Sequence, residues 1–477
     1  MRKLILIARK EIKIALREKL IVSLGLLISL LLMVALYAGY LAYKQQKEAI
    51  IQTRAEKRQQ WLEQGDKHPH IAAHYGTFAF KPKTIFSLFD FGLDTFTGTS
   101  VYLEAHHQHE FMFRPAQDHS SMIRFGELSA AMVLQVLLPL LIIFLAFASF
   151  TRERESGTLR LLISQGVSYR TLIWGKVLAY TIMITALLLP FLLGTSLLAT
   201  SGVRSETISD VTVRALLLFL LYGIYLFLFI SFSVWVSFRS STGKNALLTL
   251  LTVWIFFTML MPKTVANMSE NFYKSPSMRV FKAQIQDDIA NGMDGNTPRS
   301  ARMAKLEKEY LDKYDIDSVQ QLPFNFEGVS MQAGEEFSNS VYDHHLGNLR
   351  NIFSKQDRLA SLSSLLNPYL IVQHLSMGLA GTDIHTSLHF EDEVEQYRRG
   401  LVKEMNNDMA QNSRYGEFYE YKAGSDLWRR IKDFSYRSPK ALDILKNYKT
   451  ELTSLLIWLT LVLILLSFPD RKTTRLL

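Results

Sequence analysis

The sequence predicts an all-α polytopic membrane protein with six transmembrane helices and a mainly helical extracytoplasmic domain. Six stretches, 20–43, 128–150, 177–199, 215–238, 246–261 and 452–468, are almost free of charge and long enough to cross a hydrocarbon core of roughly 30 Å. The segments between them are polar. As a result a chain of 477 residues that is 48% hydrophobic and 20% charged has a mean hydropathy of only +0.09. The positive charge is also unevenly placed, collecting in the segments at one end of successive spans. A secreted enzyme, a disordered chain and a purely soluble module are excluded by this pattern.

The charge sets the orientation. Segments 1–19, 151–176, 239–245 and 469–477 together hold 17 basic and 5 acidic residues. They account for more than the whole net charge of +9, and the remainder is mildly acidic. The positive-inside rule puts all four in the cytoplasm, with both termini, as six spans require. The basic balance therefore reflects topology, and no nucleic-acid partner is expected. The first apolar stretch is too long for a signal-peptide core and lacks a small-x-small cleavage site, so it is read as a span. Cysteine is absent, which removes disulfides, thiolate nucleophiles and cysteine metal sites.

In chain order, residues 1–19 read as an amphipathic helix. Ile5, Ala8, Ile12, Ala15 and Leu16 recur at helical spacing, with Arg2, Arg9, Lys10, Lys13 and Arg17 on other faces. Such a helix lies in the membrane interface with its cations toward phospholipid head groups; a charged flank that only fixes topology is the plainer alternative. After the first span, 44–64 continues a polar helical pattern outward. From 69 to 114 helix signals are few, and Ile85, Phe86, Leu88, Phe89, Phe91 and Leu93 crowd together without a period, which suits a packed or interfacial segment. The second long segment, 262–451, has helical patterns at about 299–314, 328–361 and 387–411, broken by Pro298, Pro323, Asn367-Pro368 and Gly381. Pro139 and Pro190 fall inside spans and free backbone carbonyls there. Gln135 and Lys176 lie near span ends, and Thr181, Thr185, Thr195 and Ser196 lie within a span. Backbone or interhelical hydrogen bonds can satisfy them.

The loop 151–176 carries an alternating Arg152-Glu153-Arg154-Glu155 run and then Leu159, Leu161, Leu162 and Ile163. Charges of both signs beside apolar side chains suit docking to a partner; a solvated connection is the alternative. Glu153-Arg154-Glu155, Gly157-Thr158-Leu159, Leu161-Leu162 and Gly175-Lys176 resemble the E-R-E-x-G-T-L…L-L…G-K signature of ABC type-2 permeases, the membrane subunits of one class of ATP-driven exporter. Gln165-Gly166 stands where that pattern often has proline. The outer motifs, His74-Tyr75-Gly76-Thr77 and Leu366-Asn367-Pro368-Tyr369 among them, resemble a bacterial branch with large extracytoplasmic insertions, often labelled multicopper-enzyme maturation-type permeases.

The resemblance implies six transmembrane helices of ABC type-2 exporter type in the bacterial cytoplasmic membrane. It makes 1–19 an elbow helix and 151–176 a coupling helix seated in a cleft of the ATPase. There Glu153, Arg154, Glu155, Gly157, Thr158, Leu159 and Leu162 are the coupling residues: the acids as polar contacts, Gly157 as a tight turn, and Leu159 and Leu162 as apolar docking. The partners implied are two copies of an ABC ATPase subunit, a second permease subunit in a homo- or heterodimer, and membrane lipid. This chain binds no cofactor, while ATP and magnesium sit on the ATPase. A mechanotransmitting, non-transporting device acting on an extracytoplasmic partner is the competing reading.

No phosphate-binding loop occurs: Gly243-Lys244 is followed by Asn245 and Gly175-Lys176 by Val177. The chain is thus not expected to hydrolyse ATP. Neither G-x-S-x-G nor H-E-x-x-H occurs. His106, His107 and His109 cluster, with His68, His70, His74 and His119 in the same segment. Imidazoles suit zinc or copper, but no ligand spacing singles out a set, so no metal site is assigned from sequence. His385 and His389, four residues apart, are a pair without a third ligand.

Overall fold

The computed structural model describes residues 2–74, 76–112, 128–201, 208–417 and 420–468. The basic tail 469–477 and His119 lie outside them. Helix α1 (Arg2–Arg17) turns at Glu18 into α2 (Lys19–Leu62). Among the described residues, six helices are long and apolar enough to cross a membrane: α2, α4 (Ala130–Glu155), α6 (Tyr169–Ser201), α7 (Ile208–Arg239), α8 (Gly243–Phe272) and α15 (Ala441–Ser467). The fold class is as the sequence predicts.

Span boundaries differ from the charge-based ones. Helices α4, α6 and α7 run on through Thr151–Glu155, Lys176 and Arg214, where Glu153, Lys176 and Arg214 are buried and ion-paired. Helices α4 and α8 each carry a π-turn just before a proline, at Val133–Leu137 before Pro139 and at Phe256–Leu260 before Pro262. Proline has no N–H to return to the preceding turn, so nearby carbonyls are free to accept from elsewhere. Tyr225 Oη donates to the Gln135 carbonyl at 2.7 Å, Trp254 Nε1 to that of Val136 at 3.1 Å, and Asn367 Nδ2 to that of Phe257 at 2.9 Å. The irregular turns thereby lock α4 to α7 and α8, and α8 to the segment that follows it.

The two long inter-span segments fold together into a head. At 44 residues and 1.5 Å per residue, α2 is about 66 Å long, roughly twice the hydrocarbon thickness, so its second half stands in the head as predicted. There Trp61 Nε1 donates to the Trp428 carbonyl at 3.0 Å, and the two indoles meet edge to face at 5.6 Å. The helices predicted at 299–314, 328–361 and 387–411 are α10 (Arg299–Tyr314), α11 (Phe326–Ser363) and α13 (Ile384–Asn412). They accompany α9 (Met278–Asn291), α12 (Pro368–Ala380) and α14 (Ser425–Arg430).

The head is mainly helical, but it also contains an antiparallel sheet that the sequence did not reveal. Its strands are β1 (Thr77–Phe80), β2 (Ser100–Leu103) and β3 (Gln108–Met112), in that order. Ala79, Val101 and Leu103 lie buried against Phe390 and Val394 of α13. The first two strands bury their residues without strict alternation, so they carry no period-two signal in the sequence. A short helix, α3 (Pro69–Ala73), precedes them. The aperiodic apolar run is packed as expected: Ile85, Phe86, Leu88 and Phe89 join the core of the bundle.

Helix α12 is buried above the spans. Asn367 caps it, Oδ1 accepting from the Tyr369 N–H at 2.9 Å, and Gly381 ends it in the left-handed conformation. The buried Arg214 holds it in place: the guanidinium donates to the Leu379 carbonyl at 2.7 Å and the Pro439 carbonyl at 2.5 Å while pairing with Asp210 at 2.7 Å.

Candidate functional site

The loop between the second and third spans is built as two short helical pieces around a glycine hinge. Helix α4 ends at Glu155, Gly157 takes φ 72°, and α5 (Thr158–Ser164) follows. A left-handed residue at that point favours glycine, which gives the tight turn expected there. A second left-handed glycine, Gly166, leads into α6.

Beneath this loop lies a buried ionic cluster. Lys176, wholly buried on α6, places Nζ 2.8 Å from Glu11 Oε1, 3.2 Å from Glu153 Oε2 and 2.7 Å from the Ser149 carbonyl. Lys10 reaches Glu153 Oε1 at 2.6 Å, and Tyr180 Oη donates to Glu11 Oε2 at 3.2 Å. The buried Lys176, Glu11 and Glu153 thus neutralise one another with the help of the half-exposed Lys10, as buried charges must. Helices α1 and α6 approach closely enough for this because of Gly175, where a Cβ would stand 2.7 Å from Ile7 Cγ2.

The predicted residues divide into an inward and an outward set. Glu153 and Leu159 are buried, at 7% and 1% exposure, so their expected role as docking contacts is corrected: Glu153 pairs with lysines and Leu159 packs in the bundle core. Arg154 also points inward, donating to the carbonyls of Phe238, at 2.8 Å, and Ser240. Glu155 Oε1 accepts from the Gly243 N–H at 2.9 Å, at the start of α8. The Thr158 hydroxyl bonds back to the Glu153 carbonyl, and Leu162 is half-buried. The surface of α5 is instead made by Arg160 and Leu161, the latter 58% exposed.

On α1, Arg2, Arg9, Lys13 and Arg17 are exposed, whereas Lys10 turns to Glu153. The predicted apolar face is split. Ala8 and Ala15 are buried, flanking Glu11, while Ile5 and Leu16 are exposed. Sequence reasoning missed Glu11 because an acid on the buried stripe of an amphipathic helix breaks the pattern; the uncompensated Lys176 at a span end was its only signal.

Two models of known families match the chain. One, described as a domain of unknown function (DUF3526), covers residues 280–437, the greater part of the second head segment. The other, described as ABC-2 family transporter protein, covers residues 5–312, from α1 through the first five spans and the loop just described. The chain belongs to the ABC-2 transporter family. No curated protein matches it.

As an ABC-2 membrane subunit, the chain belongs with a partner ATPase and is not itself the ATPase. Within this permease, α6 and α7 border a cavity of about 460 Å³ lined by Leu134, Ile184, Leu188, Phe191, Leu226 and Ile230, with Phe86 and Phe89 of the head segment also on its wall. Of the hydroxyls that line it, Thr181 donates to the Val177 carbonyl, Thr195 to that of Phe191 and Ser196 to that of Leu192. The wall is mainly apolar.

The permease's histidines are redistributed relative to their sequence cluster. His106 is drawn to His70 and His74, His107 is exposed elsewhere on the turn, and the His109 side chain lies outside the described residues. Burial, with the neighbouring imidazoles of His106 and His74 adding to it, holds His70 down to about 4. His385 faces Asp357 at 3.8 Å and His389 bonds Tyr436 Oη at 3.1 Å, so the pair does not converge.

Proposed function

We propose that this chain is the permease subunit of an ATP-driven exporter of the bacterial cytoplasmic membrane, with both termini cytoplasmic. It takes ATP-driven motion from a separate ATPase and pairs with a second permease subunit. One observation carries the reading: Lys176 ties the loop bearing α5 to α1 and to the third span, and that same span lines the apolar cavity. A push on Arg160 and Leu161 would reach the cavity wall through Leu159, packed in the bundle core, and the buried ion pairs that join the loop to the third span. An apolar cavity favours an apolar or amphipathic cargo over a polysaccharide. The ATPase subunits would carry the nucleotide and magnesium, and the exposed cations of α1 would meet lipid head groups.

The length of α2 favours a second reading. A single helix running from the end of α1 into the head can pass motion outward mechanically, with no cargo crossing. Co-purification with the ATPase tests the shared part of both readings. Leu161→Asp is expected to abolish association and ATPase stimulation while the permease itself folds unchanged; full association in that variant would overturn the docking assignment.

A further inference from the structure

We propose that His70, His74 and His106 form a three-imidazole site for a late first-row divalent cation, zinc or copper, with Glu335 as the carboxylate that orients His106. The three rings come from two elements of the first head segment. His70 and His74 are four residues apart at α3, hence on one face, and His106 sits in the turn between β2 and β3. A backbone bond from the Ala105 N–H to the Ala73 carbonyl at 3.3 Å holds that turn against the end of α3.

The distances fit a metal. Each ring offers a nitrogen such that all three lie within 4.8 Å of one another. His70 Nε2 is 3.3 Å from His74 Nε2 and 3.4 Å from His106 Nε2. Ligands at about 2.05 Å in a tetrahedron stand about 3.35 Å apart, given zinc–imidazole bond lengths of roughly 2.0–2.1 Å. A single ring nitrogen bears either one proton or one lone pair, so the His70 Nε2 facing two others cannot form a good hydrogen bond to both. A shared cation satisfies all three lone pairs at once.

The surroundings are also those of a ligand set. His106 adopts φ 69°, a conformation rare outside glycine, and its Nδ1 bonds the buried Glu335 carboxylate. That bond fixes the proton on Nδ1 and leaves the Nε2 lone pair directed at His70, the carboxylate–histidine arrangement that orients metal-bound imidazoles. Glu335 belongs to α11 of the second segment and is backed by Arg398 of α13 at 3.9 Å. The cation therefore fastens the first head segment to the second, and its fourth position is open to a further ligand.

The test uses the full chain in lipid nanodiscs, stripped with chelator and titrated separately with zinc chloride and copper(II) sulfate. One equivalent per chain is expected. It should be lost in His70→Ala and in His106→Ala and kept in His107→Ala, while Glu335→Gln weakens binding by roughly ten- to a hundredfold. Cobalt(II) absorption distinguishes a tetrahedral zinc-type centre from the tetragonal copper centre that electron paramagnetic resonance detects. His74→Ala, at an exposed position, provides a ligand deletion with least risk to folding, checked by the melting curve. Less than half an equivalent in the unaltered chain, or full binding in a folded His74→Ala/His106→Ala variant, overturns the site.

Discussion

Lys176 and Glu11, 165 residues apart in the chain, meet at 2.8 Å in a place closed to solvent, and Glu153 completes the contact from the intervening loop. The cluster makes the N-terminal helix, the loop and the third span one mechanical unit.

Removing the lysine alone leaves two carboxylates facing each other in a buried place. Lys176→Met is expected to cost about 3–5 kcal/mol, seen as a lowered melting temperature in detergent. Glu11→Gln/Glu153→Gln/Lys176→Met, which removes the three buried charges together and leaves only the half-exposed Lys10, should recover much of the loss. A single variant as stable as the unaltered chain would show that the cluster is hydrated.

The hinge at Gly157 is a matter of backbone conformation. A Cβ there would meet no atom within 4 Å, so Gly157→Ala loses only through φ 72°, about 1–2 kcal/mol. Gly157→Asn should lose less, since asparagine tolerates that region. Equal losses in the two melting curves would point to a contact instead.

Gly223 lines the cavity, and a Cβ on it also meets nothing within 4 Å. Gly223→Leu should fold at least as well, with up to about 1 kcal/mol gained from helix propensity. Binding of the apolar dye N-phenyl-1-naphthylamine should fall, and so should cargo-dependent stimulation of the ATPase. Unchanged stimulation with the cavity filled would favour mechanical transmission over export.

Asp90, in the head, should confer a pH dependence. Burial pushes its carboxyl up to about 6, from 3.8, against the opposing pull of hydrogen bonds from Ser376 and Gly92. Between those values the folded protein retains a proton that the unfolded chain has released. Stability therefore falls as pH rises from about 4 to about 6, by on the order of 3 kcal/mol, and this contribution is flat above. Asp90→Asn should flatten that part of the melting-temperature profile; an unaltered slope would assign it to another group.

What was legible in the sequence follows from the range of each signal. Apolar runs and helical periodicity are local, so the six spans, the outward extension of α2 and the helices α10, α11 and α13 could be read directly. The short strands could not, because β1 and β2 do not alternate buried and exposed residues. Charge counting stopped the spans at Lys176 and Arg214, since a lone charge in a linear sequence looks exposed until its partner is found. In the loop, residue types indicated docking, but only packing showed that Glu153 and Leu159 face inward and Leu161 outward.

The sequence by itself determined an all-α membrane protein of six spans, because hydrophobicity and charge act residue by residue along the chain, while its E-R-E-x-G-T-L run resembled the ABC-2 family to which the chain belongs. Only the tertiary structure decided which charges neutralise one another and which histidines come together. The imidazoles of His70 and His106 are 36 residues apart in sequence and 3.4 Å apart in space, a proximity created by the β2–β3 turn folding back onto α3, which no spacing rule along the chain encodes.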